Sequence, residues 1–248
     1  MESSISVPWR RARPPEALRA TRAIRPSVRL AALFSGGKDS TYAAYVAQQR
    51  GWDVTHLISI LPRDPFSMMY HVPNLHLTPL LAEAMGLPLI REEAGAGEDA
   101  ELDALRRAIR RAGVDGVVAG AIASDYQHAR VNRVGHDLGV RVFAPLWRRN
   151  PEDLLRDYRA AGMDIRFSAV SAEGLDASWL GRPLDDGAVR DLLRLRDQVG
   201  LHPCGEGGEF ETLVLSAPNF RRRLQVLEAE PVWEGTSGHW NVTRAELR

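Results

Sequence analysis

Ser35-Gly36-Gly37-Lys38-Asp39-Ser40 stands between a short apolar run, Val28 to Phe34, and an alanine-rich stretch of helical character ending near Gln49. Strand, glycine loop and helix in that order make an anion site. Adjacent glycines let the backbone approach an anion and turn its N–H groups inward. The following helix N-terminus adds its dipole. Ser35 and Ser40 supply hydroxyl donors, and Lys38, the only lysine in the chain, supplies a full positive charge. The spacing is not that of a Walker loop, because Ala32 stands where its first glycine would fall and Asp39 follows the lysine. As a loop residue, Lys38 is expected to meet phosphate and to add little to the core.

A second constellation is Gly205-Glu206-Gly207-Gly208-Glu209, with Glu211 close behind. Carboxylates on a tight glycine turn can hold magnesium, hold an ammonium ion, or take a proton from one as general base. The sequence leaves the three open. A third is Ser124-Asp125-Tyr126-Gln127, which fits a capping box with Ser124 as N-cap and Gln127 at the third helical position. Tyr126, Arg130 and Arg133 then share one helix face, and Val131, Val134 and Leu138 form the buried stripe. Cys204 reads as a packed residue beside the glycine turn. No His-Glu-x-x-His occurs, and His202 with Cys204 is too little for a zinc site.

The elements that must position these groups alternate. Val54 to Leu61 and Leu87 to Arg91 read as strands, Leu75 to Met85 and Asp99 to Ala112 as helices closed by Gly86 and Gly113. Gly116 to Ala119 is a strand, Ser124 to Leu138 a helix closed by Gly139, and Val140 to Ala144 a fifth strand. That rhythm implies parallel pairing and an α/β sheet. A helix that follows a parallel strand starts at the sheet's carboxyl edge, where ligands bind. Beyond Pro145 the alternation weakens. Pro151 to Ala161 and Ala188 to Val199 read as helices and Ile165 to Val170 as a strand. Leu224, Val226, Val232, Trp240 and Val242 suggest a hairpin around Gly235-Thr236-Ser237-Gly238. The expected organisation is an extension at 1–27, a nucleotide-binding region at 28–145 and a smaller substrate-binding α+β region at 146–248. The extension, rich in proline and arginine and poor in apolar periodicity, is expected to be disordered or the product of a start codon placed too early.

Composition narrows the classes. With 44% hydrophobic and 26% charged residues the chain is ordinary for a globular protein, which excludes disorder throughout. Lys+Arg 32 against Asp+Glu 32 gives a net charge of +0, which argues against a global field that gathers nucleic acid. One cysteine excludes a disulfide framework and multi-cysteine zinc. No apolar run approaches the ~18 residues of a membrane span.

The loop at 35–40 resembles the signature of the PP-loop ATP pyrophosphatases. Further segments resemble one branch, the diphthine–ammonia ligase family. They are Met69-Tyr70-His71-Val72-Pro73-Asn74, Gly120-Ala121-Ile122-Ala123-Ser124-Asp125-Tyr126-Gln127-His128-Ala129-Arg130, Pro145-Leu146-Trp147, Glu173 to Asp176 with Trp179 to Gly181, and Cys204 to Thr212. The likeness runs in order from about Val28 to Phe220. It implies a Rossmann-like parallel sheet of the adenine nucleotide alpha hydrolase type, with ATP and Mg2+ as cofactors. It further implies that ATP is cleaved between its α- and β-phosphates and that a carboxylate is adenylated and then amidated by ammonia. The acyl group implied is diphthine on elongation factor 2, or a related carboxylate in a bacterium. Lys38, Asp39, Glu206 and Glu209 are expected in catalysis. Ser35 to Ser40, Ser124, Tyr126, Gln127 and Arg130 are expected on the nucleotide, and His71, Asn74, Gly205, Gly207, Gly208 and Glu211 on the acyl substrate. No side-chain metal site, membrane or nucleic-acid partner is expected. The expected compartment is cytoplasmic, and a homodimer is left open. A PP-loop enzyme that thiolates transfer RNA is the first alternative, disfavoured by the single cysteine and neutral charge. The second, a non-catalytic adenine-nucleotide sensor, would not need the acidic turn.

Overall fold

A computed structural model describes residues 28–63 and 73–248. His71, with Met69, Tyr70 and Val72 of its motif, and the extension at 1–27 lie outside them. The first half alternates as β1 (Arg29–Leu33), α1 (Lys38–Gln49), β2 (Asp53–Pro62), α2 (Thr78–Met85), β3 (Leu89–Ala94), α3 (Glu98–Ala112), β4 (Gly116–Val118), α4 (Asp125–Leu138) and β5 (Arg141–Phe143). All five strands pair in parallel, in the order β3-β2-β1-β4-β5. This is the parallel α/β sheet that the alternation predicts and the Rossmann-like sheet that the resemblance implies.

Both faces of the sheet are covered, as a parallel sheet requires. The period of two along each strand divides its side chains. Ala31, Ile58 and Val117 face one cluster with Leu105 of α3 and Val134 of α4. Leu30, Ala32, Leu57 and Val118 face the other, with Ala43 of α1 and Leu81 of α2. The chain order reverses between β1 and β4, so the loops after these two strands flank the switch point where α/β sheets bind ligands. Gly86, Gly113 and Gly139 close their helices in left-handed conformation, as the sequence predicts. In the first half two elements depart by more than a residue from their expected bounds: β3 runs Leu89–Ala94 where Leu87 to Arg91 is expected, and Leu75–Leu77 is a separate 3-10 turn, so that α2 starts at Thr78, where the proline that follows suits a first helical turn.

The second half contains α5 (Pro151–Ala160), β6 (Asp164–Val170), α6 (Asp186–Val199), β7 (Phe210–Ser216), β8 (Leu224–Glu234) and β9 (Ser237–Leu247). Its strands form an antiparallel sheet in the order β7-β6-β9-β8. The hairpin β8–β9 is the one the sequence predicts, turning at Gly235-Thr236. Strand β7 was not among the expected elements. The segments Glu173 to Asp176 and Trp179 to Gly181 build a corner of this sheet. Asp176 caps a short 3-10 turn, and Trp179 is buried edge-on against Phe167.

The apolar core is continuous across residue 145. Leu30, Phe34, Tyr42 and Leu57 share one buried cluster with Tyr158, Phe167, Phe210 and Val242. Strand β7 is thereby held against the N-terminal end of α1. No helix among the described residues is long and apolar enough to cross a membrane.

Candidate active site

The glycine loop closes on itself through its two serines. Ser40 Oγ lies 3.2 Å from Ser35 Oγ, accepts the Ser35 N–H at 3.3 Å and donates to Gly37 O at 3.1 Å. The Gly37 N–H reaches Ser35 Oγ at 3.3 Å. Gly36 sits at φ 83, where a side chain would also run into Leu81. The second sheet completes the loop from outside. Lys38 N–H donates to Thr212 Oγ1 at 3.1 Å, and Val214 N–H donates to Gly36 O at 2.9 Å. Two residues of β7 therefore fix the conformation of a loop that lies more than a hundred positions away in sequence.

Lys38 is 3% exposed, so the expectation of a loop lysine outside the core is corrected. It is the first residue of α1, and its side chain runs inward to the turn at 204–209. There Nζ donates to Asp39 Oδ2 at 2.9 Å and to Cys204 O at 2.7 Å, 5.0 Å from the centre of the Phe210 ring. Burial pulls the ammonium pKa down. The charge and hydrogen bond of Asp39 outweigh this, with help from Cys204 and Glu211, and hold it above the ordinary lysine value. The other oxygen of Asp39 accepts the Tyr158 hydroxyl at 2.6 Å. Burial, reinforced by Asp39, pushes that phenol well above its usual range.

The acidic turn is bonded at both ends. Glu209, expected in catalysis, accepts the His202 N–H at 2.9 Å on one oxygen and the Gly207 N–H at 2.8 Å on the other. These bonds give the turn its shape. Glu206 reaches across to the first sheet, where Oε2 accepts the N–H groups of Ala123 at 2.8 Å and Ser124 at 3.0 Å. Ser124 caps α4 through the Gln127 N–H at 3.3 Å, as the capping box predicts, while its own N–H goes to Glu206. Glu211 projects from β7 between Phe210 and Thr212, and among the described residues no hydrogen bond or ion pair engages its carboxylate. Burial pushes its pKa up to about 7; Lys38 opposes the shift, and Asp39 and Glu206 add to it.

Cys204 is buried, and its thiol faces Pro151 O at 3.5 Å. Burial, only partly offset by Lys38, pushes the thiol up to about 12. A sulfur held protonated in this way is a poor nucleophile at neutral pH, which counts against the thiolation alternative.

On the α4 side, Tyr126 Oη donates to Glu98 Oε2 at 2.9 Å and Arg130 Nη2 donates to the same oxygen at 2.5 Å. The Arg130 guanidinium lies 3.2 Å from the centre of the Tyr126 ring. The bond from Arg130, then that from Tyr126, holds the Glu98 carboxyl below its ordinary range. His128 stacks on Trp147 with centres 3.9 Å apart, which gives the Pro-Leu-Trp segment its place beside α4. Asn74, expected on the acyl substrate, acts as a strand mimic. Its Nδ2 donates to Trp240 O at 2.9 Å and its Oδ1 accepts the Val242 N–H at 3.0 Å. Gly207 and Gly208 are exposed at the turn. Thr212, Tyr158 and Phe210 complete the site and were missed as functional positions. Thr212 lay inside a quoted motif, but nothing local marks Tyr158.

Gly120 is the tightest approach between the two loops. A Cβ there would lie 2.8 Å from Ser40 N and 2.9 Å from Asp39 C, both backbone atoms. Gly120→Ala is expected to cost about 1–3 kcal/mol through overpacking. It should also push the loop at 35–40 out of place and lower ATP turnover more than tenfold. A thermal melt and a turnover assay on the same preparation check both, and parent-like turnover would mean that the loop tolerates the shift.

Residues 28–142 match the family model described as the diphthamide synthase N-terminal domain, and residues 150–247 match that of the C-terminal domain. The chain belongs to the diphthamide synthase family. A relative from Rattus norvegicus, named diphthine–ammonia ligase, is 37% identical over 228 residues, covering 83% of this chain and 85% of that protein. The Homo sapiens protein of the same name is 35% identical over 228 residues, with the same coverage of 83% and 85%. The Schizosaccharomyces pombe protein is 37% identical over 227 residues, but only 37% of it is covered. A solved structure described as a predicted subunit of tRNA methyltransferase from Methanocaldococcus jannaschii is 15% identical, covers 77% of this chain and 98% of its own, and superposes with a TM-score of 0.38. A score that low establishes no common topology. No group of three or more His, Cys, Asp or Glu side chains among the described residues is placed to hold a metal ion.

Proposed function

We propose that the chain is an ATP-dependent ligase that converts the carboxylate of diphthine on elongation factor 2 to an amide, with ammonium as the nitrogen source and AMP and pyrophosphate as products. One observation carries the reading. Both diphthamide synthase domains match in order, and the regions they match meet at the glycine loop, through Thr212, Val214 and Cys204.

Ammonia does not displace an oxide from a carboxylate in water, because the oxide is a poor leaving group. Transfer of AMP to that oxygen makes it part of a good one. In the first half-reaction the substrate carboxylate attacks the α-phosphorus and pyrophosphate departs. The loop of Ser35, Gly36, Gly37 and Ser40 holds the departing phosphates with its N–H and hydroxyl donors, and the first turn of α1 adds its dipole. Lys38 acts from beneath, as a buried cation paired with Asp39, and its charge favours the negative phosphates above it. Magnesium arriving with the nucleotide would neutralise charge on its phosphates while keeping several of its own waters. Ser124, Tyr126, Gln127 and Arg130 border the nucleotide at the switch point. In the second half-reaction ammonia attacks the acyl carbon and AMP leaves. The region 146–248 presents the acyl group, with Gly205, Gly207 and Gly208 giving close backbone approach, Glu209 holding the turn and Glu206 tying it to the nucleotide side.

Incubation with ATP, ammonium and diphthine-bearing elongation factor 2, followed by separation of the nucleotides, tests the reading. AMP with pyrophosphate is expected. ADP with phosphate, or ATP left intact, would overturn it in favour of another phosphotransfer or of the sensor.

A further inference from the structure

Lys38 and Asp39 are neighbours in the first turn of α1, yet their side chains meet, with Nζ donating to Asp39 Oδ2 at 2.9 Å. Helix geometry does not give this pair. Consecutive helical residues point about 100° apart around the axis and do not face each other. An acid in a first turn ordinarily turns to the free N–H groups there or to water. Asp39 is drawn elsewhere: its Oδ1 accepts the Tyr158 hydroxyl at 2.6 Å, from α5 and 119 residues away in sequence. One oxygen goes to each partner, which fixes the plane of the carboxylate. Packing sets the place of the phenol. The Tyr158 ring is fully buried and meets Tyr42 edge-on, with centres 4.9 Å apart. Burial, reinforced by Asp39, holds its pKa well above the usual phenol range, so the hydroxyl stays a donor at neutral pH. The first residue of α5 is anchored at the same junction, where Pro151 O faces the Cys204 thiol at 3.5 Å. The contacts therefore run in a chain from Tyr158 Oη through Asp39 to Lys38 Nζ and on to Cys204 O at 2.7 Å.

We propose that Tyr158 is a positioning residue for the release of pyrophosphate: its hydroxyl turns Asp39 back towards Lys38, and the carboxylate so placed holds the ammonium beneath the glycine loop. The proposal rests on the ligase reading above and concerns its first half-reaction. There the substrate carboxylate bonds to the α-phosphorus, and the bond from that phosphorus to the bridging oxygen breaks. The electrons of the broken bond pass to the departing pyrophosphate, and negative charge grows on it. A cation already fixed in place stabilises that charge without reorganising at the moment of reaction. The triphosphate of the ground state is held by the N–H and hydroxyl donors of the loop at 35–40, which Tyr158 does not touch. The residue therefore acts on kcat and leaves the KM for ATP in place. Because α5 belongs to the half that presents the acyl group, the placing of Lys38 depends on how that half docks against the loop.

Tyr158→Phe in the whole chain keeps the ring and its contact with Tyr42 and removes the donor alone. ATP–pyrophosphate exchange, measured with diphthine-bearing elongation factor 2, is expected to lose roughly 10–100-fold in kcat, the scale of a displacement near 1 Å. The KM for ATP should stay at the parent's value, which marks an interaction that matters in the transition state and not in binding. The fold should survive, with a melting temperature lowered by about 3–6 °C. Incorporation of para-aminophenylalanine in place of Tyr158 returns an N–H donor to the same ring and should recover most of the lost rate. A parent-like kcat in Tyr158→Phe, a loss confined to the KM, or a loss that the amino group does not relieve would overturn the assignment. Absence of exchange from the parent protein would overturn the ligase reading itself, before any variant is compared.

Discussion

Lys38→Ala is expected to lower the melting temperature by roughly 6–12 °C and to abolish ATP turnover at the same time. Removing one member of a buried ion pair leaves the other uncompensated and typically costs about 3–5 kcal/mol. Asp39 keeps 24% of its side-chain surface in solvent, so the lower end applies. For a chain of this size each kcal/mol moves the transition by roughly 2–4 °C. The carbonyl of Cys204 also loses its donor, which frees the acidic turn from α1. Lys38→Met separates packing from charge. It keeps an apolar stem against Phe210 and should recover part of the melting temperature but none of the turnover. Differential scanning calorimetry with a nucleotide product assay checks both variants. A Lys38→Ala protein that melts with the parent would place the lysine outside the core.

Glu206→Ala is expected to reduce amide formation by about 100-fold and to weaken ATP binding with it. The carboxylate makes two charge-assisted bonds to backbone N–H groups at the start of α4, and a hydrogen bond to a charged group is worth about 1.5–3 kcal/mol. Its partial exposure argues for the lower value and a fall of roughly 3–6 °C. The larger effect is on geometry. Glu206 and the Lys38–Cys204 bond are the two ties between the acidic turn and the nucleotide side, and a displacement near 1 Å can cost about 100-fold in rate. The sequence reading puts nucleotide binding at 28–145 and substrate binding at 146–248, so that mutation of the turn would spare the nucleotide. The ties predict that both halves suffer. Nucleotide affinity by calorimetry and amide formation by mass spectrometry distinguish the two. Unchanged affinity beside a lost amidation would place Glu206 on the nitrogen step.

The first half of the fold was readable because its signals are local. Gly86, Gly113 and Gly139 mark helix ends, Ser124 marks a start, and apolar strands buried on both faces read as short continuous runs. Strand β7 was not, because its glycine-rich approach and the carboxylate of Glu211 read as a loop motif. Only the fold reveals that Phe210, Leu213 and Val214 are core. The site was readable as a set of motifs but not as a set of contacts. Lys38 meets the carbonyl of Cys204, Asp39 meets Tyr158, and Asn74 meets Val242, at separations of 166, 119 and 168 residues. No spacing rule joins such positions. For the same reason Lys38 read as a phosphate ligand on a loop: the acceptors that draw it inward come from the other half of the chain.

The central claim is that ATP cleavage to AMP drives the amidation of a carboxylate by ammonia. Transfer of nitrogen from 15N-ammonium to diphthine-bearing elongation factor 2, followed by mass spectrometry of the modified peptide, tests it most directly. The account predicts a 15N amide that forms only with ATP present, with one AMP released for each amide. Label that fails to enter the peptide while ATP is consumed, or an amide that forms without ATP, would contradict it.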